Sequence, residues 1–534
     1  MRRFLRMLSG MAAGLLLATV ASAAEPRIGK FVRYDTGDFV IVTSRGGAQA
    51  REIIQTLVKF RLTLEKLLGR RAARSGIGTH IVLVGTGDWE KYLTPRDKVA
   101  GFFNRSMFDN YMVMNGDVAG AIYVMLHEYS HFYLSSQFAG EYPPWFDEGL
   151  AEVMAYAKFG KDNRAVLQIP QFRVVEARDH DWIPFDRLIK VDHHSPEYQQ
   201  HKLADSFYAQ AWLTVHYALL ENRDFGRRMM EYLAALNTLV PHEEASRRHF
   251  GEDLGAIDAN LRDYARKGRM SSGALDLGAV PEVTLPQPQP MSDGDALAAL
   301  IDVMLVTRRD PDRTRPLVES LKRREPDAAR SHILAARLAF FENDYTAFEA
   351  AVDKAAVLLK PDDQDGRREL GTVLLNSASD YGRLNTRTTE QTDRDLKRAL
   401  KWFAEAVERN NGDARALWGL GTTLTRLDSQ LDLADTALQA AYQHVPASAA
   451  IAVSLANLKH RQEKPEEAVR YLNDAIRFAD DLSLRRWATE SLERTQEYIA
   501  ERNRIDEENR RQREAYERQL AEYEKKYGKQ KKRK

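Results

Sequence analysis

The chain has 534 residues, a formal charge of +1 and no cysteine. This length predicts roughly three or four domains. A protein with a net charge so close to zero lacks the positive field that is typical of nucleic-acid-binding proteins, so no nucleic-acid partner is predicted. The absence of cysteine excludes a disulfide framework, a thiolate metal site and a cysteine nucleophile, so any metal must be held by histidine and carboxylate.

Residues 1–23 have the three parts of a secretory signal peptide. Three arginines lie within the first six residues, an apolar run covers residues 7–20, and residues 21–23 read Ala-Ser-Ala, a small-residue cleavage site. The apolar run is shorter than the ~20 residues that cross a bilayer, which favours cleavage over an uncleaved anchor. The sequence therefore predicts an exported protein, periplasmic or secreted, with no membrane span after cleavage.

Residues 25–117 have a mixed pattern that predicts an α/β subdomain. Runs rich in β-branched residues predict strands at 39–42 and 80–84, and a shorter run predicts a third strand at 111–114. Between the first two, apolar residues recur at helical spacing from 48 to 68 and end at a glycine, which predicts a helix. This part accounts for the N-terminal α+β half of the predicted fold class.

Residues 118–270 are interpreted as a mainly helical subdomain that carries the chemistry. His127 and His131 are four positions apart, so on a helix both can point from one face toward a single ion. Glu128 lies beside them, close enough to deprotonate a water on that ion, and Glu148 supplies a third ligand from a second predicted helix. Three ligands and one open position are the inventory of a catalytic zinc site. The alternative, a polar helix face whose side chains satisfy one another, is disfavoured because unpaired buried charge is costly.

The remainder of the chain divides into three parts. Residues 271–293 contain three prolines at alternate positions, which predicts an extended interdomain linker. Residues 294–482 show small residues at a 34-residue period, such as Ala434 and Ala468, which predicts about five tetratricopeptide-type helix pairs in an all-α solenoid. Residues 483–534 predict a long charged helix with a basic tail, a solubilising end or, less favoured, a docking site for anionic partners.

The two motifs, at residues 127–131 and 145–152, resemble those of the gluzincin zinc metallopeptidases. They are most similar to the peptidase-MA-like family of exported bacterial proteins, and the Tyr-Ala-Gln-Ala-Trp segment at 208–212 is similar as well. The resemblance covers residues 27–267 and implies a zincin-like catalytic domain. One departure is the interval of 17 positions from the second histidine to the second-helix glutamate, slightly shorter than in better-known gluzincins, which makes the substrate cleft harder to predict.

The resemblance implies that His127, His131 and Glu148 hold one Zn²⁺ ion and that Glu128 is the general base. Glu152 would accept the other ring N–H of His127 and so orient that ligand. Its position four residues after Glu148 returns it to the same helix face and favours the same role. A solvent-facing carboxylate is the alternative for this residue.

Tyr208 is the candidate donor to the oxyanion of the tetrahedral intermediate, by resemblance only. The alternative for Tyr208 is a core aromatic role with its hydroxyl tied to a neighbour, and His216 is a weaker candidate donor. A solvated loop explains four other histidines, which are not assigned to the site: His180, His193, His194 and His201.

The sequence thus predicts an exported zinc-dependent metallopeptidase that hydrolyses a protein or peptide substrate, with repeats that bind a protein partner. The alternative is a tetratricopeptide scaffold or envelope assembly factor whose metal domain is catalytically silent. The presence of Glu128 favours the enzyme, because a structural zinc site needs no base and normally closes its fourth position.

Overall fold

The computed structural model describes residues 28–37, 39–69, 77–93, 100–105, 108–137, 142–192, 195–237, 240–307, 310–378, 388–479 and 482–527. The predicted signal peptide and the basic tail from residue 528 onward lie outside the described residues. Within these ranges, no helix combines the length and the apolar character needed to cross a membrane.

The described residues contain nine strands in two sheets. The strands are β1 (Val32–Asp35), β2 (Phe39–Thr43), β3 (Gly78–Val84), β4 (Gly101–Arg105), β5 (Asp109–Asn115), β6 (Ala157–Phe159), β7 (Arg164–Leu167), β8 (Gly273–Asp276) and β9 (Gln289–Pro290). The larger sheet has the order β4-β5-β3-β2-β1-β9, and the smaller has the order β6-β7-β8. In the larger sheet β2, β3 and β5 are parallel, whereas β1, β4 and β9 pair antiparallel with their neighbours.

The three predicted strands are confirmed as β2, β3 and β5, the parallel centre of the large sheet. Central parallel strands are covered on both faces and therefore carry the near-continuous apolar runs that the sequence shows. Strands β1 and β4 were not predicted, because they are short and carry polar residues such as Arg33 and Asn104. The hairpin of β6 and β7 is an unpredicted exception within residues 118–270, which are mainly helical as expected.

Eleven helices precede the proline-rich segment in the described chain. They are α1 (Gly47–Leu68), α2 (Thr86–Asp88), α3 (Ala121–Gln137), α4 (Pro144–Ala155), α5 (Gln171–Asp179), α6 (Phe185–Leu188), α7 (Pro196–Gln199), α8 (His201–His216), α9 (Arg223–Asn237), α10 (His242–Phe250) and α11 (Leu254–Lys267), with π-helical turns at Trp89–Leu93 and Tyr217–Glu221. The predicted helix at 48–68 is α1, and Gly69 after it has a φ of 64°, the left-handed conformation that ends many helices.

Helices α1 and α3 cover one face of the large sheet and begin the first core. Leu57 and Phe60 of α1 pack with Met112 and Met114 of β5, and Tyr129 of α3 joins them. The same core continues through α4 and α8. The helix that carries the two histidines is therefore fixed against the sheet on one side and against α4 on the other.

Eleven further helices follow the proline-rich segment in the described chain. They are α12 (Asp293–Val306), α13 (Pro311–Arg324), α14 (Ala329–Glu342), α15 (Tyr345–Leu358), α16 (Gln364–Ser377), α17 (Thr389–Arg409), α18 (Ala414–Arg426), α19 (Leu431–His444), α20 (Ala449–Arg461), α21 (Pro465–Phe478) and α22 (Leu482–Tyr527). Helices α12 to α21 pack as five successive antiparallel pairs, and each pair contacts the next. The predicted helical solenoid is thus present, and Ala434 and Ala468 are fully buried within it.

The second face of the large sheet packs against the first repeats. Val42, Val82 and Val113 share an apolar core with Leu300 of α12 and Leu321 of α13. The segment predicted as an extended linker is held by both sheets, because its ends form β8 against β7 and β9 against β1. The repeats and the sheet therefore form one continuous structure through a shared core.

Candidate metal centre

Helices α3 and α4 bring the three predicted ligands together. Helix α4 begins with Pro144 in its first turn, where a proline needs no hydrogen-bond partner, and it packs on both α3 and α8. His127 and His131 lie on one face of α3, as their four-residue spacing predicts, and Glu148 of α4 faces them. Two helices thus place three potential ligand atoms in one cluster.

The three facing atoms form a nearly equilateral triangle. The Nε2 atoms of His127 and His131 are 3.2 Å apart. Glu148 Oε2 lies 3.3 Å from the first and 3.5 Å from the second. This oxygen is buried and accepts no hydrogen bond in the described chain.

The triangle fits a tetrahedral ion. Zinc bound at about 2.0–2.2 Å in tetrahedral geometry separates its ligand atoms by roughly 3.3–3.6 Å, close to the three observed distances. Two imidazole nitrogens and a carboxylate oxygen are also the ligand types that zinc prefers when thiolates are absent. The cluster therefore has the spacing and the donor atoms expected of a metal site, and it contains a buried oxygen that accepts no hydrogen bond in the described chain. That the metal is zinc stays a prediction.

Charge coupling within the cluster is strong. Burial alone would raise the pKa of Glu148, but the facing His131 and His127 hold that pKa well below its usual range. Burial likewise would lower the pKa of His131, but the carboxylates of Asp147 and Glu148 raise it well above its ordinary value. A divalent cation would supply the positive charge that the buried Glu148 carboxylate requires.

Glu152 lies behind His127, where the sequence places it. Its Oε1 is 3.4 Å from His127 Nδ1, and its Oε2 accepts a hydrogen bond of 2.9 Å from Arg173 Nε. Arg173 also donates to Glu176 at 2.7 Å. The buried Glu152 carboxylate thus faces the imidazole with one oxygen and an arginine with the other.

Asp147 takes the corresponding position behind His131, a role that the sequence interpretation missed. Its Oδ1 lies 2.9 Å from His131 Nδ1. The sequence feature that could have identified Asp147 is its position directly before Glu148 in the second motif. A residue next to a ligand on a helix projects about 100° away from it, which here directs the carboxylate to the far side of the second imidazole.

Two tyrosines hold the outer oxygen of Glu148. Tyr198 donates a hydrogen bond of 2.8 Å to Glu148 Oε1, and Tyr208 lies 3.4 Å from the same atom. Burial, together with the negative charge of Glu148, raises the pKa of both phenols. Tyr208, predicted as an oxyanion donor, is therefore placed as its alternative describes, with its hydroxyl tied to a neighbour, and Tyr198 was not predicted.

The remaining candidate histidines do not join the cluster in the described chain. His216 is buried next to Tyr264, whose hydroxyl is 2.9 Å from its Nδ1, and burial lowers the pKa of His216 to about 4. His180 is exposed at the end of α5. His193 and His194 lie outside the described residues, and only the backbone of His201 is described.

Glu128 faces a large cavity instead of the helix core. It lines a space of about 2560 Å³ together with Phe103 and Asn104 of β4 and with the repeat helices. Its carboxylate has no hydrogen-bond or ion-pair partner among the described residues. Glu128 is thus next in sequence to the first histidine and open to the cavity, and its role as a general base stays a prediction.

Comparison with known proteins adds information about the repeats. No family model matches the sequence, and no curated protein matches it, so the resemblance to gluzincins stays a prediction. Similar solved structures include YrrB, a TPR protein with an unusual peptide-binding site, at 20% identity, 37% of this chain, 92% of that chain and a TM-score of 0.27.

Two further structures are also repeat proteins. A thermophilic TPR protein from Thermus thermophilus is 18% identical, over 37% of this chain and 98% of its own, with a TM-score of 0.31. PilW, a type IV pilus biogenesis factor, is 15% identical, over 40% of this chain and 92% of its own, with a TM-score of 0.30. Scores this low carry no conclusion about function.

Proposed function

We propose that this protein is an exported zinc-dependent peptidase. The observation that carries the proposal is the triangle of His127, His131 and Glu148 ligand atoms with tetrahedral spacing. Glu128 follows the first of these histidines and has no partner among the described residues. The assignment to peptide hydrolysis depends on this geometry and on the sequence resemblance, because the comparisons lend it no support.

In the proposed reaction, the metal ion and the side chains around it have separate roles. Zinc, when bound, polarises the scissile carbonyl and makes a neighbouring water more acidic. Glu128 takes a proton from the attacking water as the new C–O bond to the scissile carbonyl forms, and it gives that proton to the leaving amine in the second step, when the C–N bond breaks. Tyr198 holds Glu148 Oε1, which keeps Oε2 directed at the histidines.

A peptide is the substrate class that the surroundings favour. Strand β4 is at the edge of the described sheet, and its Phe103 and Asn104 line the same cavity as Glu128. An edge strand presents backbone N–H and C=O groups that can pair with an extended peptide. A substrate chain placed along β4 would therefore lie next to the proposed base.

The decisive test is the Glu128→Gln variant, assayed with fluorescein-labelled casein. We expect wild-type cleavage to require zinc and to stop with a chelator, and E128Q to be slower by roughly 10²- to 10⁴-fold because it lacks the base. Elemental analysis should find the same zinc content in both proteins, since Glu128 is not a ligand. The matched control is E252Q, at an exposed position, which should keep wild-type activity.

A protein-binding scaffold with a silent metal domain is the second candidate. The observation that favours it is the cavity, which is lined mainly by repeat helices and is far larger than a metal site needs. Bound zinc without any chelator-sensitive cleavage would support the scaffold. Equal cleavage by E128Q and wild type would contradict the proposed peptidase mechanism.

A further inference from the structure

Glu128 and the inner helices of the repeats line one and the same cavity. We infer that the repeat groove and the candidate catalytic site form a single channel for one extended, unfolded polypeptide segment, which the inner helices hold while it passes Glu128. The channel binds the segment whether or not the segment is cleaved, and its cleavage rests on the proposed function.

The size of the channel indicates a polymer as its occupant. Its volume is about 2560 Å³, whereas pockets for small molecules have volumes of about 300–1,000 Å³. Its walls come from the sheet, from α3 and from helices α12, α14, α16, α18 and α20. A single small ligand would leave most of this surface uncovered.

The lining favours a polypeptide backbone over a phosphate-rich chain. Arg337 and Arg415, which line the channel, are already paired with Asp302 and Asp109, so they are not open to phosphates. The inner helices also present acidic groups that would repel a polyanion, among them Asp365 and Glu369. They present polar uncharged groups as well, such as the amides of Asn376 and Asn457. Neither amide has a hydrogen-bond partner within the described part of the chain, and an amide both donates and accepts, as peptide backbone requires.

Aromatic residues also line the channel. Trp418 of α18 lines the channel and donates its indole N–H to Ser454 at 2.9 Å, so its ring is fixed in place. Phe108, which precedes β5, packs edge-on against Trp418 with ring centroids 5.4 Å apart. Trp418 is only 6% exposed and so forms part of the wall, whereas Trp487 of α22 is 37% exposed and lines the same cavity. Trp487 therefore offers an aromatic surface to the apolar side chains of an unfolded segment.

The two walls of the channel are held in register by direct contacts. Arg415 of α18 pairs with Asp109 of β5, and His80 of β3 lies 3.1 Å from the same aspartate. Two residues further along β5, the Tyr111 hydroxyl donates to Asp302 of α12 at 3.3 Å. These contacts fix the repeat helices against the sheet, and Glu128 lines the cavity between them, so the groove and the candidate catalytic site form one site and not two separate modules.

Cysteine protection tests the channel directly, because the natural chain contains no cysteine. Full-length single-cysteine variants would be N457C on the repeat wall, N104C on the sheet wall and N473C as the matched control. Asn473 is an exposed asparagine on α21, outside the channel. All three are made in the E128Q background and labelled with a small maleimide, with and without unlabelled β-casein as an unfolded polypeptide.

We expect saturating casein to slow labelling of both N457C and N104C by about fivefold or more, because a ligand that fills a site covers most of its surface. Labelling of N473C should not change. Protection at N457C alone, or at neither channel position, would overturn the inference. Protection at both channel positions with no cleavage by the zinc-loaded wild type would support the channel and overturn the proposed peptidase.

Discussion

Each histidine of the candidate centre has a carboxylate behind its second ring nitrogen. Glu152 lies 3.4 Å from His127 Nδ1, and Asp147 lies 2.9 Å from His131 Nδ1. A carboxylate in this position keeps the ring proton on Nδ1 and leaves the Nε2 lone pair free for a metal. The two carboxylates therefore orient both imidazoles toward the same point.

Replacement of either orienting carboxylate by its amide should weaken zinc binding. E152Q and D147N should each bind zinc roughly 10- to 100-fold more weakly than wild type, because the imidazole loses its fixed tautomer and some of its basicity. Competition with a chromophoric chelator measures this affinity directly. The control is E176Q, since Glu176 contacts Arg173 but neither histidine, and equal affinities for E152Q and E176Q would contradict the role of Glu152.

For individual residues of the centre, the sequence predicted only those interactions that join residues close together in the chain or on one helix face. The ligand spacing and the position of Glu152 follow from helix geometry, which repeats every 3.6 residues. Arg173 and Tyr198 could not be predicted, because they are 21 and 50 positions from the acids that they contact. No local pattern connects such residues, and only packing brings them together.

At the scale of elements, the contact between α4 and α8 determines where Glu148 lies. Gly149 is next to this ligand, and a β-carbon built there would lie 2.4 Å from the backbone oxygen of Ala211 and 2.6 Å from a methyl group of Val215. Two helices can approach this closely only where one of them lacks a side chain. The glycine therefore sets the depth at which Glu148 enters the centre.

Gly149→Ala should destabilise the protein by about 1–3 kcal/mol, because the added methyl group must displace α8 in a filled core. Helix propensity alone would favour alanine by about 1 kcal/mol, so a destabilised variant identifies the steric contact as the larger effect. Thermal unfolding measures the change. The control is G87A, where nothing lies within 4 Å of the added carbon, and equal melting temperatures for G149A and wild type would contradict the close packing.

At the scale of the whole molecule, the large sheet needs both of its covers. One face packs on α1 and α3, and the other packs on α12 and α13. A central strand with apolar residues on both faces cannot leave one of them in water without cost, since each exposed Val-sized side chain loses about 1.5–3 kcal/mol. The repeats therefore contribute to the stability of the sheet.

Removal of the repeats should accordingly destabilise the N-terminal half of the chain. A chain that ends at residue 292 should bind a hydrophobic dye and unfold at lower temperature than the full chain, because Val42, Val82 and Val113 lose their cover. The control ends at residue 505, which removes only the exposed end of α22 and the residues after it. A truncated half as stable as the full protein would contradict the shared core.

The sequence by itself determined the strands of the sheet centre, the repeat helices and the trio of His127, His131 and Glu148 as candidate ligands. Each follows from a periodicity or spacing within one or two neighbouring elements. Only the tertiary structure decided what lies behind the ligands, that the repeats cover the second face of the sheet, and that Glu128 opens into their groove. These contacts join residues that are tens to hundreds of positions apart. The sequence pattern indicates that a side chain is buried, but it does not identify the distant surface that covers it.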